Sequence, residues 1–127
     1  YAPQYYVWPL EVHYLGLLFN KSKEPTQDDL KNLAKIYVEN NKGINKIFSP
    51  SFLKKFEKSC VDQLKVYNQM KFEERIKFLM NFWSTWDNYA LSITYLRFLR
   101  YLAIKGFYEN SFIKFMGKLL LQNIHPN

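Results

Sequence analysis

The sequence predicts an all-α protein, a helical bundle of about five helices. The stretch Phe78–Tyr108 contains no proline and reaches its first glycine only at Gly106. Within this stretch, apolar residues recur at alternating steps of three and four, the spacing of one α-helical face: Leu79, Phe82, Trp86, Tyr89, Ile93 and Leu96. No segment shows the strand-like alternation or the Asn-Gly turn that is typical of a β-hairpin.

A second set of apolar residues lies on another side of the same predicted helix: Leu91, Tyr95, Phe98 and Leu102. The helix is therefore apolar over most of its circumference. We expect such a helix to be surrounded by other helices or to be partly covered by a partner.

Length and composition indicate one helical domain over residues 1–127. The 48% hydrophobic and 19% aromatic content is well above that of disordered chains. The formal net charge of +7 favours an acidic partner. Cys60 is the single cysteine, which excludes an internal disulfide and favours an intracellular protein. We see neither a signal peptide nor an uncharged run that could span a membrane, and because the sequence begins at Tyr1 we expect a fragment of a longer protein.

The first two helices are delimited by proline, capping residues and glycine. Pro9 suits a first helical position, and helix one is predicted at about residues 9–19. Thr26, with Asp29 three residues later, resembles a capping box. Gly43 is a suitable left-handed C-terminal cap, so helix two is predicted at about residues 27–42.

The later helices follow from similar signals. Ser49 and Pro50 predict the N-cap and first turn of helix three. A polar bend at residues 68–71 precedes the long fourth segment, which we expect to break near residues 86–88, and Asn110 is predicted to cap the last helix. The predicted buried residues of helix three are Leu53, Phe56, Cys60, Leu64 and Tyr67. One face of the last helix is predicted to carry Phe112, Phe115, Leu119 and Leu120.

Residues with catalytic or metal-binding chemistry are few and scattered. His13 and His125 lie far apart and form no metal-ligand spacing with Cys60. Glu73 and Glu74 open a helix, where carboxylates stabilise the helix dipole. Sequence separation leaves a Ser-His-Asp or Cys-His arrangement open. We nevertheless predict that the protein is not an enzyme and has no catalytic residue, no metal, no cofactor and no small-molecule substrate.

The basic residues fall into lines on the predicted helices. These are Lys31, Lys35, Lys42 and Lys46; Lys54, Lys58 and Lys65; and Arg97 with Arg100. Nucleic-acid binding would require such lines to be interleaved with exposed aromatic residues, whereas the aromatic residues here lie on the apolar stripes. We interpret the lines as solvated helix surfaces and, next, as a basic protein-binding groove.

Several motifs resemble the N-terminal repeat of cullins, the scaffolds of ubiquitin ligases. Trp8 resembles the early Trp of helix one, Thr26–Leu30 the start of helix two, and Phe52–Phe56 with Gln63-Leu64 the pattern of helix three. The best match lies in the long segment, where the family's Phe-Leu, Trp, aromatic and Ile-Arg positions correspond to Phe78-Leu79, Trp86, Tyr89 and Leu96-Arg97, with Lys105 and Phe107 following.

The resemblance implies a five-helix cullin repeat in the nucleus or cytoplasm, the N-terminal part of a longer scaffold that binds a substrate adaptor of BTB-like or β-propeller fold. By position, the adaptor would contact helix two and the end of the long segment, through Gln27, Asp28, Lys31, Lys35, Tyr101, Leu102, Lys105 and Tyr108. Family members with BTB adaptors carry Tyr at the positions of Lys31, Lys35 and Leu102, so the adaptor class stays open.

The sequence therefore predicts a non-catalytic, adaptor-binding scaffold module of a cullin-type ubiquitin ligase. We expect no membrane partner and no direct nucleic-acid partner. The alternatives are a basic helical nucleic-acid-binding module and an unrelated helical protein-interaction domain.

Overall fold

The computed structural model describes residues 5–107 and 111–126. These residues form six α-helices and no β-strand, which confirms the all-α prediction. The helices are α1 (Leu10–Asn20), α2 (Gln27–Asn40), α3 (Pro50–Gln69), α4 (Phe72–Met80), α5 (Trp83–Leu102) and α6 (Ser111–Ile124). A wider helical turn, Ala103–Phe107, extends α5, and there Gly106 adopts a left-handed φ of 96° that residues with a Cβ rarely adopt.

Side-chain caps start α2 and α3 where the sequence predicted. The backbone N–H of Asp29 donates to Thr26 Oγ1 at 3.2 Å, and the backbone N–H of Thr26 donates to Asp29 Oδ2 at 2.7 Å, which completes the capping box. The backbone N–H of Phe52 donates to Ser49 Oγ at 3.2 Å, with Pro50 in the first turn of α3. These bonds satisfy backbone donors that a helix start leaves without an intrahelical acceptor.

The predicted role of Gly43 as a left-handed helix cap is wrong. Helix α2 ends at Asn40, and among the described glycines Gly106 has the positive φ. Gly43 instead lies buried against α5: a Cβ at this position would lie 2.7 Å from Ile93 Cγ2 and 3.2 Å from Asn41 Oδ1. The position therefore requires glycine for close packing.

The long fourth segment breaks at Asn81 and Phe82, not near residues 86–88 as predicted. Phe82 has φ −89° and ψ 0°, which interrupts the helix without a proline or a glycine. The backbone N–H and the hydroxyl of Thr85 both donate to the Phe82 carbonyl at 2.8 Å and so stabilise the new helix start. The Phe78 and Phe82 rings also pack edge to face across the break, 5.2 Å apart.

Buried apolar residues from all six helices form a single core. Leu30, Phe56 and Leu79 are all buried there. Trp86 is half-buried and packs against this core. The core of α3 is also as predicted for Phe56, Cys60, Leu64 and Tyr67, whereas Leu53 is half-buried.

The apolar face predicted for the last helix is only partly buried. Leu120 and Ile124 are buried, whereas Phe115 and Leu119 are exposed. The Phe112 side chain and the predicted cap Asn110 lie outside the described part of the chain. Helix α6 is apolar on two sides, and its packing against α5 decides which side joins the core.

A buried arginine fastens the start of α4 to the loop before α2, a link that the sequence analysis missed. The Arg75 guanidinium forms an ion pair with Glu24 at 2.8 Å. It also donates to the backbone carbonyls of Met70 at 2.7 Å and of Asn68 at 3.1 Å. Since a buried guanidinium needs partners for its donors, these contacts hold the bend between α3 and α4 against the α1–α2 loop.

We expect Gly43→Ala to destabilise the protein by about 1–3 kcal/mol, because the added methyl group would overlap the Ile93 side chain. Chemical denaturation measures the change. In an Ile93→Ala background the obstructing methyl group is gone, and the same substitution should then cost little. An equal cost in both backgrounds would contradict the proposed contact.

We also expect His13 to make the stability depend on pH. Burial lowers the pKa of His13 from 6.5 to about 4, although backbone hydrogen bonds to Tyr5 and Trp8 oppose this effect. Between these two values the unfolded chain binds more protons than the folded protein, so stability falls as the pH drops from about 6.5 to about 4. From pH 7 to pH 5 the His13 contribution to this loss should be about 2 kcal/mol.

The control for this pH effect is His13→Gln, which keeps an N–H donor and does not titrate. Urea denaturation measures the stability of both proteins at pH 7 and pH 5. Because the carboxyl groups are the same in both proteins, the difference between their losses of stability is the contribution of His13. If the two proteins lose stability equally, His13 is not the group responsible.

Candidate partner-binding surface

Helix α5 crosses the C-terminal end of α2 through a buried polar contact. The hydroxyl groups of Tyr37 and Tyr89 are hydrogen-bonded to each other, and Asn41 Nδ2 donates to Tyr89 Oη at 3.0 Å. One turn later Ile93 lies against Gly43. From Tyr89 to Ile93, α5 therefore runs in the same direction as the chain that leaves the end of α2.

The outer side of α5 is a row of exposed apolar and aromatic residues. Leu91, Tyr95, Phe98 and Tyr101 are each 47–55% exposed, although the first three belong to the second apolar set that the sequence identified. The Phe98 and Tyr101 rings stack on each other with centroids 6.4 Å apart. We call these four residues the outer face of α5. A contiguous apolar surface of this kind on a folded protein commonly marks an interaction site.

Basic groups lie next to the outer face. The Lys105 ammonium group lies over the Tyr101 ring, 5.6 Å from its centroid. The Arg97 guanidinium lies over the Tyr6 ring, 5.5 Å from its centroid, and donates to the Tyr6 hydroxyl. From Tyr89 to the C-terminus the sequence contains five Lys and Arg residues and one Glu, so this end of the protein has a positive field.

Tyr95 and Phe98 lie on a predicted apolar stripe, but this stripe is exposed. Tyr101 is exposed as well, and Lys105 lies over its ring. The available signal was the second apolar set on α5, which no other predicted helix was assigned to cover.

The sequence-predicted binding residues fall into two groups. Gln27, Asp28, Lys31 and Lys35 are exposed on α2, where Lys31 pairs with Asp28 at 3.7 Å and Lys35 with Glu39 at 3.9 Å. Tyr101 and Lys105 are exposed and Leu102 is half-buried at the end of α5. Tyr108 lies outside the described residues.

The structure does not bring these two groups together. Lys31 precedes Tyr37 by six residues, about 9 Å of helix, and Tyr101 follows Tyr89 by twelve residues, about 18 Å of helix. Since α5 continues away from the C-terminal end of α2 beyond the crossing, the groups lie on opposite sides of it. Partner binding by either group stays a prediction.

A polar cavity of about 320 Å³ opens beside the crossing. Its polar lining comes from the start of α1, the crossing itself and the chain end after α6: Glu11, Tyr37, Thr85, Asn88, Tyr89, Asn123 and His125. Glu11 also accepts a hydrogen bond from the Tyr67 hydroxyl at 3.1 Å, and the His125 ring packs edge-on against Phe56.

Hydroxyl and amide groups line this cavity, together with the Glu11 carboxylate and the His125 imidazole. Burial raises the pKa of the Tyr37 and Tyr89 hydroxyls well above the ordinary value, so neither is a base near neutral pH. Burial also raises the pKa of the nearby Cys60 thiol, which disfavours the nucleophilic thiolate. The cavity therefore offers hydrogen-bond donors and acceptors, and its two tyrosine hydroxyls stay protonated near neutral pH.

Searches for other kinds of site give the following results. Among residues 5–107 and 111–126, no three His, Cys, Asp or Glu side chains are grouped so as to hold a metal ion. Within the same residues, every helix is too short or too polar to cross a membrane. No protein-family model matches the chain, and comparisons with curated proteins and with solved structures give no match either.

Proposed function

We propose that this domain is a non-catalytic protein-interaction module, the adaptor-binding part of a cullin-type ubiquitin-ligase scaffold. The observation that supports binding is the outer face of α5, where Leu91, Tyr95, Phe98 and Tyr101 are left uncovered. Interfaces gain most of their binding energy from a few central aromatic or apolar anchors with a polar rim. Phe98 and Tyr101 suit the role of anchors, and Arg97 and Lys105 suit the rim.

The cullin motifs support the class of the partner. They resemble the N-terminal repeat of scaffolds that hold a substrate adaptor of BTB-like or β-propeller fold. Of the best-matching positions, Leu79, Tyr89 and Leu96 are buried and Trp86 is half-buried, so the motif corresponds to the core of the bundle. The binding residues themselves differ between family members, and the adaptor for this chain is accordingly proposed by class alone.

We expect Phe98→Asp to abolish capture of the adaptor while it leaves the melting temperature nearly unchanged. The side chain is half exposed, so its replacement should change stability by less than about 0.5 kcal/mol. A charge at the centre of the apolar surface should weaken binding at least about tenfold. Affinity capture with quantitative mass spectrometry identifies the adaptor, and calorimetry then measures Kd.

Phe19→Asp is the matched control, because Phe19 is an exposed phenylalanine on α1. This variant should capture the adaptor as the wild type does. Equal capture by Phe98→Asp would show that the outer face is not the binding site. Failure of the wild type to capture any BTB-like or propeller protein would contradict the cullin assignment. The Lys31→Glu variant tests separately whether α2 takes part in adaptor capture.

Direct binding of single-stranded nucleic acid is a second candidate function. The observation that favours it is the exposure of Tyr95, Phe98 and Tyr101 next to Arg97 and Lys105. Bases stack on exposed aromatic side chains, and basic groups along the same surface contact phosphates.

A salt titration distinguishes this candidate from the adaptor-binding module. We expect weak binding of labelled single-stranded oligonucleotides, without sequence preference, and a fall in log K of about 0.7 per neutralised phosphate for each decade of salt. Fluorescence anisotropy measures this slope. Sub-micromolar binding at physiological salt that Phe98→Asp removes would favour nucleic-acid binding over the adaptor.

A further inference from the structure

An apolar cleft of about 540 Å³ lies at the far end of the bundle from the N-terminal half of α2. The segment between α2 and α3, the end of α5 and the start of α6 form its walls. Its apolar lining consists chiefly of Ile47, Phe48, Leu96, Leu99, Ala103 and Ile113. The volume lies within the range of sites that bury a small ligand or a few side chains of a partner.

The cleft is separate from the outer face of α5. Successive residues of an α-helix are spaced by about 100°, so Leu96 and Arg100 point to a different side of α5 from Leu91, Tyr95 and Phe98, and Leu99 lies between the two sides. Leu96 is fully buried at the base of the cleft, and Ile104 is 65% exposed at its edge. The cleft is therefore a gap at the end of the core that opens to solvent.

Three cations from three different segments line the same cleft: Lys46, Arg100 and Lys114. All three are exposed, and among the residues that the structure describes no acidic residue lines the cleft. Within the described residues, none of the ion pairs engages any of the three. Their charges are therefore available to a ligand that enters from outside.

We propose that this cleft binds an acidic amphipathic helix of a partner protein. The apolar base would take two or three apolar side chains at helical spacing, and the surrounding cations would pair with Asp or Glu on the flanks of the same helix. An open cleft with cations on several sides fits a helix better than a free fatty acid, which is usually enclosed by its site. The surrounding charges would mainly determine orientation and association rate.

Gly117 provides a substitution that fills the cleft without disturbing the fold. It lines the cleft in the middle of α6, and a Cβ added there would meet no atom within 4 Å. Its φ is not positive, so other residues fit the backbone. Gly117→Leu should maintain or raise the melting temperature, because glycine disfavours a helix interior. The leucine side chain would occupy the space that the proposed ligand needs.

The experiment measures binding of a fluorescent designed peptide to the 127-residue chain by anisotropy. The peptide has about 15–20 residues, with Leu at helical spacing and Glu at the flanking positions. We expect the affinity for the peptide to fall as salt is added. It should be at least about tenfold lower in Gly117→Leu and should change by less than about twofold in Gly117→Ala. A control peptide with Lys in place of every Glu should bind much more weakly.

Equal binding of the acidic peptide to wild type and Gly117→Leu would overturn the proposed site, and equal binding of the acidic and basic peptides would overturn its charge preference. Palmitate serves as the competing probe: if palmitate binds in a Gly117→Leu-sensitive manner and the acidic peptide does not bind, the occupant is an acyl chain and the proposal is wrong. The Gly117 variants leave the four residues of the outer face of α5 unaltered, so this result is independent of the adaptor-binding proposal.

Discussion

The contact on which both candidate surfaces depend is the buried crossing of α2 and α5. Two tyrosine hydroxyls and the Asn41 amide satisfy one another there, away from water. A buried hydroxyl without a partner is costly, so this network favours one register of α5 against α2. The close approach of Gly43 to Ile93 supports the same register, because it allows the helix and the α2–α3 segment to touch.

That register determines which side of α5 remains in water. Once Tyr89, Ile93 and Leu96 face the core, Leu91, Tyr95 and Phe98 must point away from it. Helix α6 packs on α5 through Leu120 and Ile124 and leaves the outer face uncovered. Helix α5 has two apolar sides, and the neighbouring helices cover one of them. The outer face is the side that they leave in water.

The sequence predicted helices and their starts well, because these depend on local chemistry. The capping box of Thr26 and Asp29 and the Ser49-Pro50 start each involve residues within three positions of one another. The break at Asn81–Phe82 was misplaced because no proline or glycine marks it. The role of Gly43 was missed because a close approach to Ile93, fifty residues away, has no local signal.

Orientation was the harder property to predict, and it decides the candidate sites. Helix α6 offers Phe115 and Leu119 on one side and Leu120 and Ile124 on another, and periodicity favours neither. Which side of α6 is buried depends on the helix that packs against it. The separation of Lys31 from Tyr101 likewise depends on how the helices pack.

The same reasoning explains why the positive charge and the exposed apolar area occur together at one end of the molecule. From Tyr89 onward the chain has almost no acidic residue to neutralise its cations, and α5 and α6 are more apolar than one core can bury. In the isolated domain, like charges at this end oppose self-association through the apolar surfaces, since two copies would bring their cations together. An acidic partner removes that repulsion while it covers the apolar area. The charge therefore selects among the partners that the apolar surface would otherwise accept.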